Sequence, residues 1–144
     1  MSYHFHHVQV TVANIAESEI FYDQLFSFLG YDLKKKYKGY LEHANMHVVE
    51  YLGDGFDFGI CSPAAAFQNE EIHPRKPGAI QHIAFKADSR AEVDEIFNKI
   101  SHLDVKILHG KPKEYTERIA PNYYALFFEA PDGIRFEIFH YPNE

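Results

Sequence analysis

Glu137 stands in the run Ile134-Arg135-Phe136-Glu137-Ile138-Phe139-His140, a lone carboxylate among aromatic and aliphatic neighbours. An ionised carboxylate in apolar surroundings is costly, so this one needs a partner: an arginine or lysine, a proton, a metal ion, or an outlook onto water. Upstream, Tyr115, Arg118, Tyr123 and Tyr124 collect aromatic and basic character on one stretch. Such a group orients an anionic or aromatic substrate, or packs as rings on a rim. Lys86 is a further cation that meets either a substrate anion or solvent.

The element carrying Glu137 is a hairpin. Tyr123 to Glu129 and Ile134 to His140 read as two aromatic-rich strands joined by Pro131-Asp132-Gly133, a strong turn signal. Strand alternation puts Arg135, Glu137 and Phe139 on one face, with Ile134, Phe136 and Ile138 on the other. Earlier, Phe5 to Ala13 alternates, with Val8, Val10 and Val12 on one side and His7, Gln9 and Thr11 on the other. Asn14 and Glu17 then form a helix-start signal, Ile20, Phe21, Leu25, Phe28 and Leu29 recur at helical spacing, and Gly30 ends the helix. Extended segments follow at Tyr31–Lys38, Asn45–Leu52 and Phe56–Ser62.

Residues 63–79, with Pro63, Pro74, Pro77 and Gly78, read as a linker. The pattern then restarts. Ile80 to Ala87 is a strand, Ser89 and Glu92 repeat the helix-start signal, and Ala91 to Leu103 is a helix with Val93, Ile96, Phe97 and Ile100 inside. Val105–His109 and the closing hairpin supply three more strands. At a constant offset His7 matches His82, Val8 Ile83, Val10 Phe85, Asn14 Ser89, Glu17 Glu92 and Leu25 Ile100. The chain is an internal repeat, a first module at 1–62 and a second at 80–144.

Composition limits the partners. Fourteen basic against 21 acidic residues give a net charge of −7, with no basic stripe to neutralise phosphates, so nucleic acid is not expected. A single cysteine, Cys61, excludes an intrachain disulfide and makes a reduced, cytoplasmic setting the default. No apolar run is long enough to span a bilayer, so no membrane is expected.

Two βαβββ modules, with His7-Val8-Gln9-Val10-Thr11-Val12, Gln81-His82-Ile83-Ala84-Phe85 and Pro131-Asp132-Gly133 before Phe136-Glu137-Ile138, resemble the vicinal oxygen chelate superfamily. That superfamily includes glyoxalase I, fosfomycin- and bleomycin-resistance proteins and extradiol dioxygenases. The resemblance implies an α+β fold whose two modules form paired half-barrels around a central cavity. It implies His7, His82 and Glu137 as ligands of a divalent metal ion (Zn, Fe, Mn or Ni), with open positions for substrate or water. All three lie on the less apolar faces of their strands, and alternation favours His7 over His6. Glyoxalase-like chemistry on a small oxygen-bearing substrate, as a lyase or isomerase, is the expected activity, and a homodimer the expected assembly. Glu137 is the catalytic candidate, with Glu129 and Glu50 as further candidate bases. Tyr115, Arg118, Tyr124 and Lys86 are the candidate substrate-binding residues. The alternatives are an Fe(II) ring-cleaving dioxygenase, which is usually longer, and a metal-free antibiotic-binding protein, which generally lacks the ligand set. One position departs from glyoxalase I: Gly59 falls where those enzymes carry a carboxylate, the counterpart of Glu137. Ala130, in place of an acidic residue before the turn, is a turn-level variation.

Overall fold

A computed structural model describes residues 2–116 and 120–142 of the chain. It divides into two units, residues 1–72 and 73–144, with the same topology. In the first, β1 (His7–Thr11), α1 (Ile15–Phe28), β2 (Tyr37–Leu41), β3 (Met46–Tyr51) and β4 (Asp57–Cys61) form a sheet ordered β1-β4-β3-β2 behind one helix. In the second, β5 (Ile83–Lys86), α2 (Arg90–Ile100), β6 (Lys106–Tyr115), β7 (Tyr123–Glu129) and β8 (Arg135–His140) give the order β5-β8-β7-β6. Each sheet is mixed: β1 runs parallel to β4 and β5 to β8, and the remaining pairs are antiparallel. The fold is α+β, two βαβββ modules.

Both helices start as the sequence predicts. The Asn14 side chain accepts from the Glu17 backbone N–H at 3.2 Å, and Ser89 Oγ from that of Glu92 at 3.1 Å, satisfying donors that a helix end leaves bare. α1 closes on Gly30 at φ +91°, where Gly30 N–H reaches Ser27 O and Tyr31 N–H reaches Phe26 O. That is a Schellman end, which needs the left-handed conformation glycine adopts freely.

The inner face of α1 differs from the expectation. Phe21, Tyr22, Leu25 and Phe26 are buried, whereas Ile20 is 69% exposed. Phe26 decides the rotation: its ring stacks on Tyr51 and on Phe58, each at 4.9 Å between centroids. The second core is less ring-dominated, with Val93, Ile96 and Ile100 buried alongside Leu126, Ile138 and the stacked pair Phe128–Phe136.

Two strand assignments also shift. Tyr31–Lys38 is not one strand: Asp32 caps a 3-10 turn at Leu33–Lys35 by accepting from Lys34 N–H at 3.0 Å, and β2 begins only at Tyr37. Lys36, just before β2, places its ammonium 2.7 Å from Glu19 and 3.0 Å from Asp23, tying the turn to α1. β6 runs on to Tyr115, past His109 at φ +62° and Gly110 at φ +80°, with a register shift between Leu108 and Lys113. Gly110 and Pro112 look like strand breakers, but on an edge strand a bulge absorbs them.

Candidate metal and substrate site

The register of the two sheets shows what each unit offers at equivalent points. In the second, Ala84 on β5 pairs with Glu137 on β8, and Phe127 on β7 flanks Glu137 on its other side. In the first, Gln9 on β1 pairs with Gly59 on β4, and Glu50 on β3 flanks Gly59. Gly59 is thus the counterpart of Glu137, as the alignment of the two closing hairpins predicts.

Glu137 is 2% exposed. The Tyr123 hydroxyl donates to its Oε1, and His82 Nε2 lies 3.2 Å from its Oε2. His82 is fixed from behind, because its Nδ1–H donates to the carboxamide oxygen of Gln81. With Nδ1 as the donor, neutral imidazole turns the Nε2 lone pair toward the carboxylate. Two acceptors facing one another require a cation between them, a proton on Nε2 or a metal ion. A ligand histidine whose other nitrogen donates to a neighbouring oxygen is the usual arrangement at metal centres, so these residues fit a divalent metal.

Around the pair, Tyr123 stacks on Phe139 at 5.0 Å, and Phe139 on Tyr141 at 5.9 Å. Lys86 sits over the Tyr141 ring at 4.1 Å. Tyr115 packs edge-on against Phe127 at 5.4 Å, with the Lys113 ammonium 5.3 Å from its ring centre. Lys86 and Tyr115 therefore belong to the sheet face that carries Glu137. Tyr124 does not. It faces α2, its hydroxyl donating to Asp94 and its ring lying under the Arg90 guanidinium at 4.8 Å. Burial, helped by the Asp94 carboxylate, pushes its hydroxyl up to about 12. Arg118 lies outside the described residues. Glu129, a candidate base, is engaged by Arg135 at 3.2 Å.

In the first unit His7 is exposed and opens a pocket of about 160 Å³ lined by His6, Gln9, Glu50, Asp57 and Gly59. His6 joins it, against strand alternation, because β1 begins only at His7; its Nδ1 is 2.9 Å from that of His7 and 3.8 Å from Asp57. The Gln9 side chain lies over Gly59, and its buried amide nitrogen has no hydrogen-bond partner among the described residues. Within either unit, among the described residues, no three His, Cys, Asp or Glu side chains form a preformed metal set.

Three features here escape sequence reading: Gln81 behind His82, Tyr123 on Glu137, and the unpaired Gln9. Gln81 had a signal, a carboxamide next to a candidate ligand. Tyr123 is visible as a member of the aromatic group, but its partner depends on the β7–β8 ladder.

The sequence pattern of the Glyoxalase/Bleomycin resistance protein/Dioxygenase superfamily matches residues 4–138. The uncharacterized protein YqjT of Bacillus subtilis (strain 168) is 26% identical over 133 residues, 92% of this chain and 95% of the relative. Among solved structures, a Bacillus halodurans protein whose description carries the glyoxalase name is 28% identical with a TM-score of 0.75, covering 95% of each chain. The genomically encoded fosfomycin resistance protein FosX of Listeria monocytogenes is 18% identical with a TM-score of 0.64, covering 99% of this chain and 94% of its own; it bears on the fold alone.

Proposed function

Since the chain belongs to the Glyoxalase/Bleomycin resistance protein/Dioxygenase superfamily, we propose that it is a metal-dependent, glyoxalase-like enzyme acting on a small oxygen-bearing substrate by lyase or isomerase chemistry. One observation carries the reading: His82 Nε2 and Glu137 Oε2 face each other at 3.2 Å, with the histidine held by Gln81 so that a cation is needed between them. His82 and Glu137 would hold the metal, and His7 is the proposed third ligand. The metal supplies Lewis acidity, drawing charge off a substrate oxygen.

The remaining roles belong to the chain itself. Gln81 sets the His82 tautomer. Tyr123, Phe139 and Tyr141 wall the face with stacked rings that exclude water from Glu137. Lys86 and Tyr115 are the proposed substrate contacts on that face. Glu129 is engaged by Arg135, and Glu137 is the proposed catalytic carboxylate. Among the described residues no helix is long and apolar enough to cross a membrane; a cytoplasmic homodimer is the proposed form.

The test is metal content, by elemental analysis of untagged protein supplemented with Zn, Fe, Mn or Ni, beside Glu137→Ala. Near-stoichiometric metal in the parent and none in the variant is the expected outcome. Two metal-free proteins would sink the enzyme reading and leave a small-molecule binder.

A further inference from the structure

We infer that Tyr123 is the positioning residue of Glu137: by donating to Oε1 it fixes the carboxylate so that Oε2 is the oxygen turned toward a cation. This rests on the metal reading above and says how the carboxylate is presented within it. The ring of Tyr123 has little freedom. It is 7% exposed and stacked on Phe139 at 5.0 Å with 8° between planes, and on Tyr141 at 5.8 Å with 25°. Its hydroxyl donates to Oε1 while His82 takes the Oε2 side, so the two oxygens of one carboxylate are divided between two partners.

The first unit supplies the control. Aligned on Gly59 and Glu137 through their ladder partners Glu50 and Phe127, the counterpart of Tyr123 is Met46. Where the carboxylate is missing, the hydroxyl that would steer it is missing too. Tyr123 therefore belongs with Glu137 as a functional pair and not with the repeated frame.

A carboxylate with one oxygen held by a donor favours binding a cation through the other oxygen, in monodentate fashion. A freed carboxylate can close on the ion with both. Orienting partners of this kind typically change metal affinity by roughly 10–100-fold when removed.

The experiment compares the parent with Tyr123→Phe, which keeps the ring and its stacks, using Zn²⁺ as the probe. Chelator competition gives the Zn²⁺ affinity. Infrared spectra of protein carrying isotope-labelled glutamate, with Glu137→Gln subtracted, give the two carboxylate stretches of Glu137 with and without Zn²⁺. In Tyr123→Phe the apo stretches should shift as the hydrogen bond is lost. In the Zn²⁺ form their separation should narrow as both oxygens bind, with affinity reduced roughly 10-fold. A Tyr123 that merely packs would leave the apo stretches, the Zn²⁺-form separation and the affinity as in the parent, because Phe keeps the ring; that result overturns the inference. If the parent takes up no Zn²⁺ through Glu137, the metal reading fails instead. The apo spectra then decide the pairing alone, and identical apo stretches overturn it.

Discussion

The two units share a topology and differ at the point where chemistry would occur. Both have the strand order with a parallel outer pair and a capped helix behind the sheet. At one ladder position the second unit carries a small residue on the outer strand and a large polar one beside it, Ala84 and Glu137; the first reverses the sizes, Gln9 and Gly59. The Gln9 amide fills the room over Gly59 that a carboxylate would take, and its buried nitrogen finds no acceptor among the described residues. Glu137 has two partners for its two oxygens. The frame is tolerant of either choice, because the helix-facing positions on each side of this pair, Phe58 and Ile60 or Phe136 and Ile138, are buried in both units. The repeat keeps the packing face and varies the polar one.

The largest expected effect comes from breaking the second unit at that point. Glu137→Ala strands the Tyr123 hydroxyl in a buried site and leaves His82 without its partner. Chemical denaturation should show a loss of roughly 1–3 kcal/mol, alongside the loss of metal described above. The matched change in the first unit, Gly59→Ala, should be mild. A Cβ there would meet Gln9 atoms at 3.4 Å, an ordinary contact. Equal losses from the two changes would mean that the asymmetry is not functional.

Converting one unit into the other sharpens the contrast. Gly59→Glu alone puts a carboxylate beside Glu50 in the room that the Gln9 side chain fills, without the hydroxyl that Tyr123 gives Glu137, and should destabilise by about 1–3 kcal/mol. Adding Met46→Tyr supplies the hydroxyl that Tyr123 gives Glu137, and should recover part of the loss. A double-mutant cycle on unfolding free energies measures the coupling; additive losses would show that the ladder equivalence does not extend to the side chains.

The first unit also holds an ion network. Lys36 bridges Glu19 and Asp23, Lys38 adds a bond to Glu19 at 2.8 Å, and the Tyr51 hydroxyl donates to Asp23 at 2.8 Å. Burial alone would push the Glu19 carboxyl up, but the two ammonium groups bring it below its ordinary value. Burial likewise pulls the Lys36 ammonium down, and the carboxylates outweigh it and raise it. The signs follow. The lowered Glu19 contributes stability present above its unfolded value of 4.5 and lost as pH falls through its folded one. The raised Lys36 contributes stability present below 10.5 and lost as pH rises through its folded value. Lys36→Met should cost about 1–2 kcal/mol at neutral pH, between an exposed and a buried pair. The deficit should shrink below pH 4.5 as Glu19 protonates in the parent. A pH-independent deficit would assign Lys36 to packing.

What the sequence makes legible follows from what is local. Alternation, caps and the repeat are written in neighbouring residues, so the βαβββ order, both helix starts and the hairpin at Gly133 can be read directly. The Gly133 turn forms with φ +93° and its N–H donating to Ala130 O at 2.9 Å. Glu137 is legible as a lone carboxylate in an apolar strand, and His82 as the match of His7 in the repeat. The rotation of α1 is not, because Phe26 wins over Ile20 only through its stacks on Tyr51 and Phe58, which come from distant strands. The same holds for the tyrosines: Tyr123 and Tyr124 are adjacent in sequence, and only the ladder sends one to Glu137 and the other to Asp94.

The smallest effects test the part of the comparison in which the units agree. Asn14 and Ser89 occupy the same point of the repeat and make the same bond to the backbone N–H three residues on, at 3.2 and 3.1 Å. Asn14→Ala and Ser89→Ala should each cost about 1 kcal/mol. In the second unit the Glu92 side chain also accepts from the N–H of Asp88, the residue before the N-cap, at 2.7 Å, a bond that holds the chain entering α2 even without Ser89. Ser89→Ala should therefore be the milder of the two, and Ser89→Ala with Glu92→Ala should exceed the sum of its parts. If Ser89→Ala is the harsher change, the caps are not equivalent, and the shared frame is set by the sheets and not by the helix starts.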